Sequence, residues 1–410
     1  MTVKDFRQLF PILNRQIYGR NLVYFDNAAT SQRPQSVVEK FTDLSLYSNA
    51  NIYRAVHTLA TEATEYYEKA REASRAFINA SSREEIIFTS GCTAAINLVA
   101  YSFGEAFVGE GDEIIVCEAE HHSNMVPWQA LCQRKKAHLR ILPIDDRGHL
   151  DLQTLSALLA QGGSRVKLLA LAHISNILGL VNPVEEVIAL CHAAGVPVLL
   201  DGAQGIVHEK VDVRALDCDF YAYSGHKIYA ATGTGVLYGK KEWLEKMPPF
   251  LYGGEMVETV NLQEATYAPL PLKFEAGTGN FAAVATLPQA YETALAAREP
   301  EIEAAFAALC QFVESALLSR TDVRLYGVAD EKYKRCGVFS FTVEGVHHED
   351  LAHLLDKMGV AVRSGQMCAE PAVRHFGVQG MVRVSLAPYN TMEEARYFMS
   401  ALDKAVNMLR

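Results

Sequence analysis

The sequence predicts an α/β fold with two parts: a large domain on a mostly parallel sheet and a smaller α+β domain. Apolar strand-like runs alternate with amphipathic helical stretches, which is the pattern of βαβ units. Polar clusters directly follow several of these runs, at the sheet edge where open α/β folds bind ligands. From about residue 289 a long helical pattern and shorter strands replace the alternation. We place the large domain at 22–288 and the small domain at 289–410, with 1–21 packing against the latter.

Each element is predicted from the spacing of its apolar residues. Residues 59–79 have apolar positions at helical spacing, with Arg, Lys and Glu facing outward, whereas the strands are short runs rich in Ile, Val and Leu. In the large domain we predict strands at 85–89, 113–117, 167–172, 196–200 and 220–223, and further helices at 93–103 and 184–194. In the small domain we predict a long helical pattern from 289, strands near 337–343 and 360–363, and helices near 349–358 and 391–409.

The composition is that of a globular protein, and its charge argues against two classes of partner. Of the 410 residues, 50% are hydrophobic and 21% are charged, and the formal net charge is −10. This acidic balance argues against nucleic acid or an anionic membrane as a partner. The first twenty residues carry charges throughout, unlike a signal peptide, and no stretch reaches the ~18 uninterrupted apolar residues of a membrane helix. We therefore expect a cytoplasmic protein.

The eight cysteines are scattered along the chain, with no CxxC pair. This argues against a disulfide framework or a zinc ribbon and indicates reduced thiols in a cytoplasmic protein. We interpret seven of them as core residues. Cys368 differs, because it lies in the polar, turn-rich loop 362–371 near Arg363, whose charge favours a thiolate. We predict that Cys368 is reactive.

Lys227 follows the apolar run 220–223 at the end of the sequence Ser-Gly-His-Lys. An amine beside a buried strand loses hydration, which lowers its pKa and prepares it to form a Schiff base with an aldehyde cofactor. Asp201 ends an earlier apolar run. A Schiff-base lysine and an aspartate that holds a pyridinium nitrogen together indicate pyridoxal 5'-phosphate (PLP). Lys227 alone would be interpreted as a surface lysine, and its pairing with Asp201 favours the cofactor.

The turn 90–93, of sequence SGCT, opens a predicted helix. Its free N–H groups and the positive end of the helix dipole form a site for a phosphate. Thr93 adds a hydroxyl, and Ser224 and His226 are placed to complete the site from the lysine loop. In isolation such a turn is more often an ordinary Ser/Thr N-cap. The glycines of 233–235 do not complete a dinucleotide-binding motif, so we do not predict an NAD site.

His121 and His122 follow the predicted strand 113–117, and Arg383 lies within the apolar run 381–386. Further metal ligands are absent at a recognisable spacing, so we predict no metal. An imidazole stacked on a cofactor ring fits this position, with a structural histidine as the alternative. A buried arginine needs a carboxylate partner, which is either an amino-acid substrate or an internal salt bridge.

These residues match a known family. The chain resembles the PLP-dependent cysteine desulfurases of aminotransferase class V, in the group II (SUF-type) branch, from YFDNAAT (24–30) to LAPYNT (386–391). The most specific motifs are EHHSNMVPW (120–128), SNILG (175–179), DGAQG (201–205), DFYAYSGHK (219–227), FEAGTGN (274–280) and RSGQMCAEP (363–371). The resemblance implies the PLP-dependent transferase fold type I, with a seven-stranded sheet in the large domain.

The resemblance also assigns a role to each matching residue. Around PLP it implies Lys227 for the Schiff base, Asp201 for the pyridinium nitrogen, Gln204 for the ring hydroxyl, His122 for stacking, Thr93, Ser224 and His226 for the phosphate, and Thr278 for the phosphate of a second subunit. Around the substrate it implies Asn176 and Arg383 for the carboxylate, with His57 and Arg363 nearby, and Cys368 as the sulfur acceptor. The role of Thr278 implies a homodimer.

The chain departs from the family pattern at several of these motifs. Met367 stands where the family has His before the reactive cysteine, Cys92 replaces Thr, Gly279 replaces Pro, and Ala230 and Ala231 replace Gly-Pro. Without the imidazole, we expect Cys368 to be a slower nucleophile that depends on an acceptor protein for its rate. We interpret Cys92 as structural.

The function implied by the resemblance is conversion of L-cysteine to L-alanine, with the sulfur passing as a persulfide to a sulfur-carrier protein for iron–sulfur cluster assembly. The alternative within the same chemistry is a lyase acting on L-selenocysteine. An ordinary aminotransferase would need no reactive cysteine. A scaffold without enzymatic activity would bind no cofactor at Lys227.

Overall fold

The computed structural model describes residues 1–410 and contains a central seven-stranded sheet. Its strands, numbered along the chain, are β1 Ile86–Thr89, β2 Glu113–Cys117, β3 His138–Leu142, β4 Val166–Ala172, β5 Val198–Asp201, β6 Phe220–Ser224 and β7 Gly235–Gly239. Their spatial order is β1-β7-β6-β5-β4-β2-β3. Only β7 runs antiparallel to its neighbours, and all other pairs are parallel. The predicted α/β class and mostly parallel sheet are confirmed.

The sheet is buried on both faces, which is why its strands are continuous apolar runs. Successive residues of one strand point to opposite faces, and accordingly Leu199 and Leu200 belong to different core clusters. Helices Cys92–Phe107 and Val126–Lys135 pack on the face of Leu199. Helices Thr58–Phe77, Val184–Ala193 and Leu287–Ala296 share the core of the face that carries Leu200. Helices on both faces thus hold the sheet in place, including the strand ends where the polar clusters lie.

The helices agree with the predicted segments except in the long pattern from 289. The structure divides that pattern into two helices at Glu299, which is extended, because Pro300 disfavours helical geometry in the residue before it and begins the next helix. The remaining helices of six or more residues are Val3–Gln8, Gln35–Tyr47, Leu152–Gly162, Lys241–Lys246, Pro300–Leu318, His348–Lys357, Glu370–His375 and Met392–Leu409.

The smaller α+β unit contains a four-stranded antiparallel sheet. Its strands are β8 Val323–Leu325, β9 Val338–Val343, β10 Arg363–Gly365 and β11 Met381–Ser385, in the order β8-β9-β11-β10. The predicted strand near 360–363 is divided in two: Val360–Ala361 pairs with Val23–Tyr24, and β10 enters the four-stranded sheet. Arg383 and Arg363 are direct register partners there, so this sheet brings two arginines together.

The N-terminal segment contacts the second half of the chain. The Met1 amino group lies 2.5 Å from Glu299, and Arg7 forms a salt bridge of 2.8 Å with Glu394. The predicted domain boundary at 288/289 stays a proposal. Tyr291 stacks on Phe77 of the large domain, which favours a boundary after helix Leu287–Ala296. Two further two-stranded pairs join Gln16–Ile17 with Arg20–Asn21 and Val257–Val260 with Ala265–Tyr267. None of the helices has the length and apolar character required to cross a bilayer.

Candidate active site

A cavity of about 250 Å³ lies at the carboxyl ends of β4, β5 and β6. Both sheets contribute to it, because β11 and the loop after β10 form its opposite wall. The predicted site residues that line it are Thr93, Asn176, Asp201, Gln204, Ser224, His226, Lys227, Arg363, Cys368 and Arg383. Strand ends that are far apart in sequence therefore meet in one place, as the strand-end pattern predicts.

Lys227 ends the short 3₁₀ turn Gly225–Lys227, which directly follows β6. Burial lowers the pKa of its amine from the ordinary value, against the opposing attraction of Asp201. The turn is locked by the backbone N–H of Ile228, which donates to the Gly225 carbonyl at 3.0 Å. A lowered pKa favours the neutral form of the amine, which is the form that condenses with a carbonyl group.

Asp201 is the last residue of β5 and is buried at the cavity wall. Its Oδ1 atom accepts hydrogen bonds from the Ala203 N–H at 2.9 Å and from the Cys92 thiol at 3.3 Å. Burial, followed by the charge of Asp201, raises the pKa of Cys92 well above its ordinary value, so Cys92 remains a thiol donor. The sequence analysis interpreted Cys92 as structural and did not predict its contact with Asp201. The only sequence signal for this contact was the position of Cys92 in the turn 90–93, which was predicted to bind a phosphate.

The turn before helix Cys92–Phe107 lies against β7 and forms a shallow cradle. A Cβ atom at Gly235 would come within 2.4 Å of the Gly91 Cα, so the close approach requires glycine. Ser224 Oγ accepts from the Cys92 N–H at 2.8 Å, which leaves the serine proton free to donate. Thr93 Oγ1 lies 2.8 Å from Ser123 Oγ. Hydroxyls at the start of a sixteen-residue helix suit a phosphate.

The two neighbouring histidines of the motif at 120–128 face different surroundings. His121 lines the cavity, whereas His122 faces the loop of Cys368: its Nε2 accepts from the Glu370 N–H at 3.4 Å. The sequence assignment of His122 to the cavity is therefore corrected to His121, because the 3₁₀ turn His122–Asn124 rotates neighbouring side chains to different sides. Burial lowers the pKa of His121 to about 4, so its ring is neutral near neutral pH.

Arg383 and Arg363 form the charged end of the cavity. Arg383 is 2% exposed; its Nη1 donates to the Asn176 carbonyl at 2.9 Å, and its Nε has no partner. A buried guanidinium N–H without an acceptor is costly. Arg383 also lines the cavity, so its positive charge can attract a carboxylate there. Both arginines also bind Asp26, a residue of the YFDNAAT motif that the sequence analysis did not select. The two arginines that bind Asp26 are more than 330 positions away in the sequence, so no local sequence pattern indicates this contact.

Cys368 is exposed and lies in the loop between β10 and helix Glu370–His375. Met367 and Cys368 both have left-handed backbone angles, with φ of 51° and 55°. The loop is held at two points: Asn176 Nδ2 donates to the Met367 carbonyl at 2.9 Å, and the His122 N–H donates to the Cys368 carbonyl at 2.7 Å. The fold thus holds the only exposed cysteine at the cavity.

Besides His122, two predicted residues lie outside the cavity of a single chain. Thr278 is exposed in the loop that follows Phe274. His57 is exposed and caps helix Thr58–Phe77, with its Nδ1 accepting from the Ala60 N–H at 3.3 Å. The roles predicted for both residues stay predictions.

The residues that line the cavity fit PLP. The amine of Lys227 suits the aldehyde of PLP, and the carboxylate of Asp201 suits its pyridinium nitrogen. The neutral ring of His121 suits the face of the cofactor ring, and the hydroxyl cradle suits the phosphate. Gln204 adds an acceptor, because its Nε2 is used by the Ala28 carbonyl at 2.8 Å and its Oε1 stays available. Arg383 and Arg363 line the same cavity and provide positive charge for a carboxylate as well.

The chain has clear relatives among known proteins. The family description "Aminotransferase class-V" matches residues 23–398. A cysteine desulfurase of Salmonella agona is 43% identical over 408 residues, covering 99% of each chain, and one of Pectobacterium carotovorum is 42% identical over 408 residues, covering 99% of this chain and 98% of its own.

Solved structures show the same relationship. The crystal structure of the cysteine desulfurase CsdA from Escherichia coli has a TM-score of 0.90 and 38% identity, and covers 100% of both chains. The apo structure of a cysteine desulfurase from Thermococcus onnurineus has a TM-score of 0.92 and 35% identity, and covers 100% of this chain and 99% of that one. The chain therefore belongs to the aminotransferase class V family, within its group of cysteine desulfurases.

Proposed function

We propose that this chain is a group II (SUF-type) cysteine desulfurase, which converts L-cysteine to L-alanine and transfers the sulfur to Cys368. The observation that carries the proposal is that one cavity holds Lys227, the arginine pair and the only exposed cysteine. An aminotransferase needs no thiol there. Bound PLP supplies an electron sink for the negative charge that forms when the amino acid loses its Cα proton.

The residues of the chain divide the remaining work. The guanidinium of Arg383 at the cavity wall binds the substrate carboxylate, and Asp201 would hold the cofactor ring in its protonated form. The lowered pKa of Lys227 favours its neutral amine, which is the form that accepts the Cα proton. His121 covers the ring face without adding positive charge, since burial keeps its imidazole neutral.

Cys368 completes the reaction. Its thiolate attacks the substrate sulfur, so an S–S bond forms while the substrate Cβ–S bond breaks. The electron pair of the broken bond stays with the carbon skeleton, which is protonated and leaves as alanine. The sulfur remains on Cys368 as a persulfide. Because this residue is exposed, a sulfur-carrier protein can reach it and take the sulfur for iron–sulfur cluster assembly.

The predicted homodimer is part of the proposal. Thr278 and His57 are exposed in one chain, and Val56, Leu251, Tyr252 and Leu262 are large apolar residues that are also exposed. A second copy would cover such residues and bring Thr278 to the phosphate cradle of its neighbour. All eight cysteines are free, which supports the proposed cytoplasmic location. Light scattering of the purified protein gives the oligomeric mass, and a monomer would contradict the assembly.

The decisive experiment incubates the PLP-loaded protein with L-cysteine and measures alanine and sulfide. We expect wild type to form alanine, and Lys227→Ala and Cys368→Ala to lose it. Cys310→Ala, which removes a thiol outside the cavity, is the matched control and should keep activity. Absence of alanine from wild type contradicts the proposal. Retention of alanine formation from L-selenocysteine, but not from L-cysteine, by Cys368→Ala would identify the selenocysteine reaction as an additional activity.

A further inference from the structure

Glu275 forms a buried ion pair with Arg71, and neither residue lines the cavity of Lys227. Arg71 Nη1 donates to Glu275 Oε1 at 2.7 Å, and Arg71 Nη2 donates to Glu275 Oε2 at 2.9 Å, so the two planar groups meet in bidentate geometry. Their side chains are 1% exposed for Arg71 and 8% exposed for Glu275. Arg71 Nη1 also donates to the Ile86 carbonyl at 2.8 Å. The pair is therefore shielded from water and fixed in one geometry.

The same carboxylate accepts hydrogen bonds from two further groups. Glu275 Oε1 accepts from the backbone N–H of Phe88 at 2.7 Å, and Oε2 accepts from the Tyr67 hydroxyl at 3.0 Å. Phe88 belongs to β1, the edge strand of the large sheet, so Glu275 supplies an acceptor where no further strand pairs. All donors to the carboxylate thus lie in β1 or in helix Thr58–Phe77. They anchor the start of the loop 275–280 on these two elements.

Glu275 lies between the two segments that are predicted to bind the phosphate of PLP. Two positions after Phe88 the chain enters the turn 90–93, which forms the hydroxyl cradle. Three positions after Glu275 lies Thr278, which is exposed. Because each residue extends the chain by at most ~3.6 Å, Thr278 stays within about 11 Å of the anchored residue. A displacement of the Glu275 carboxylate would therefore reach both segments.

We propose that Glu275 is a positioning residue for the phosphate end of the cofactor site. It lies outside the cavity and acts through other groups. Through the Phe88 N–H it holds the turn 90–93 of its own chain, and through its backbone it holds Thr278, which serves the neighbouring chain. Arg71 fixes the carboxylate for both tasks. This inference rests on the proposed function, of which PLP and the homodimer are parts.

The test compares two ligands that differ by the phosphate. PLP and pyridoxal are titrated separately into the full-length protein freed of cofactor, and each dissociation constant is read from the visible absorption of the Schiff base. We expect Glu275→Gln to lower the affinity for PLP by about tenfold relative to that for pyridoxal, which corresponds to about one charge-assisted hydrogen bond to the phosphate. The ratio of the two constants cancels a loss of folded protein, because that loss affects both titrations equally.

Glu68→Gln is the matched control. Glu68 accepts from Arg71 Nε at 3.1 Å, so this variant removes a charge from the same arginine, but Glu68 belongs to helix Thr58–Phe77 and not to the loop. Its ratio should equal that of wild type. An unchanged ratio in Glu275→Gln, or an equal change in Glu68→Gln, overturns the proposal. Alanine formation from cysteine by wild type is assayed separately, so failure of the proposed function is recognised independently.

Glu275→Asp tests the proposal without leaving Arg71 as an uncompensated buried charge, which would itself destabilise the fold. Aspartate keeps the negative charge, but its side chain is shorter by one methylene group. It therefore cannot reach Arg71 and the Phe88 N–H from the same backbone position. We expect the PLP affinity to fall severalfold relative to the pyridoxal affinity. A wild-type ratio in Glu275→Asp also overturns the proposal.

Discussion

The backbone N–H of His122 donates to the carbonyl oxygen of Cys368 at 2.7 Å. This bond joins the turn after β2 to the loop after β10, which are 246 positions apart (368 − 122). The loop contains two consecutive left-handed residues, a conformation that costs free energy in residues other than glycine. The hydrogen bonds to the loop compensate for this cost, so they control the position of the Cys368 sulfur.

Asn176 forms the second of these bonds, and its loss should release the Cys368 loop. Asn176→Asp has the same shape but cannot donate to the Met367 carbonyl. We expect alkylation of Cys368 by iodoacetamide to become several-fold faster and the KM for cysteine to rise. Asn176→Ala breaks the same bond without adding charge and should show the same alkylation effect. Unchanged alkylation in both variants would contradict this role.

Met367 faces the cavity where the family has histidine, and Met367→His should accelerate Cys368. Met367 is 6% exposed and lines the cavity next to Cys368 in sequence, so an imidazole there would lie at the cavity wall near the thiol. An adjacent imidazolium stabilises a thiolate. We expect faster alanine formation in the absence of an acceptor protein and faster alkylation of Cys368 at mildly acidic pH. Met367→Leu is the apolar control. Equal rates of alanine formation and of alkylation in wild type, Met367→His and Met367→Leu would show that methionine in place of histidine does not affect Cys368.

The strand-end pattern predicted the edge of the sheet at which the cavity lies. Asp201, Ser224 and Lys227 lie at the ends of β5 and β6 because parallel strands carry their last residues to one edge. Such positions depend only on local sequence and sheet direction. The apolar periodicity from 289 continues past Pro300 and therefore predicts one long helical element. The proline itself was the sequence signal that a helix begins at that residue.

The remaining features depend on contacts that local sequence does not encode. His121 and His122 are neighbours, and only the 3₁₀ turn determines which ring faces the cavity. Asp26 meets Arg363 and Arg383 through pairing of the N-terminal segment with the second half of the chain. Thr278 and His57 require a second copy for their predicted roles. Long-range packing and assembly therefore set the limits of the sequence prediction.

Removal of the Cys92 thiol should weaken the support of Asp201. The thiol has one proton and two acceptors at 3.3 Å, Asp201 Oδ1 and the Ala222 carbonyl. A hydrogen bond of about 1 kcal/mol to Asp201 corresponds to roughly a fivefold change in rate. We expect Cys92→Ala to lower kcat by about that factor with little change in KM, and Cys92→Ser to restore it. The visible spectrum of the PLP-loaded variants should shift in Cys92→Ala alone.

Cys132→Ala is the matched control for that measurement. Cys132 lies in the same core cluster as Cys92 but outside the cavity, so it reports the cost of thiol truncation without the contact to Asp201. Equal effects of Cys92→Ala and Cys132→Ala on kcat would show that Cys92 acts only through packing.

Glu120 makes the stability of the fold depend on pH. Its side chain is buried without a cation partner, and its oxygens accept from the Ala172 N–H at 2.9 Å and from Asn124 Nδ2 at 2.6 Å. Burial raises its pKa to about 8, whereas the unfolded chain has about 4.3. Between these values only the unfolded state releases the proton, so the stability contribution is full below the lower pKa and is lost as the pH rises toward 8.

We expect the free energy of unfolding of wild type relative to Glu120→Gln to fall between about pH 5.5 and about pH 7.5, by up to roughly 1.4 kcal/mol per pH unit. Urea unfolding at several pH values measures this difference, which cancels the titration of all other groups. Glu303→Gln, at an exposed helix position, should show no such slope. Parallel curves for wild type and Glu120→Gln would mean that Glu120 is already ionised in the folded protein, stabilised by its two donors.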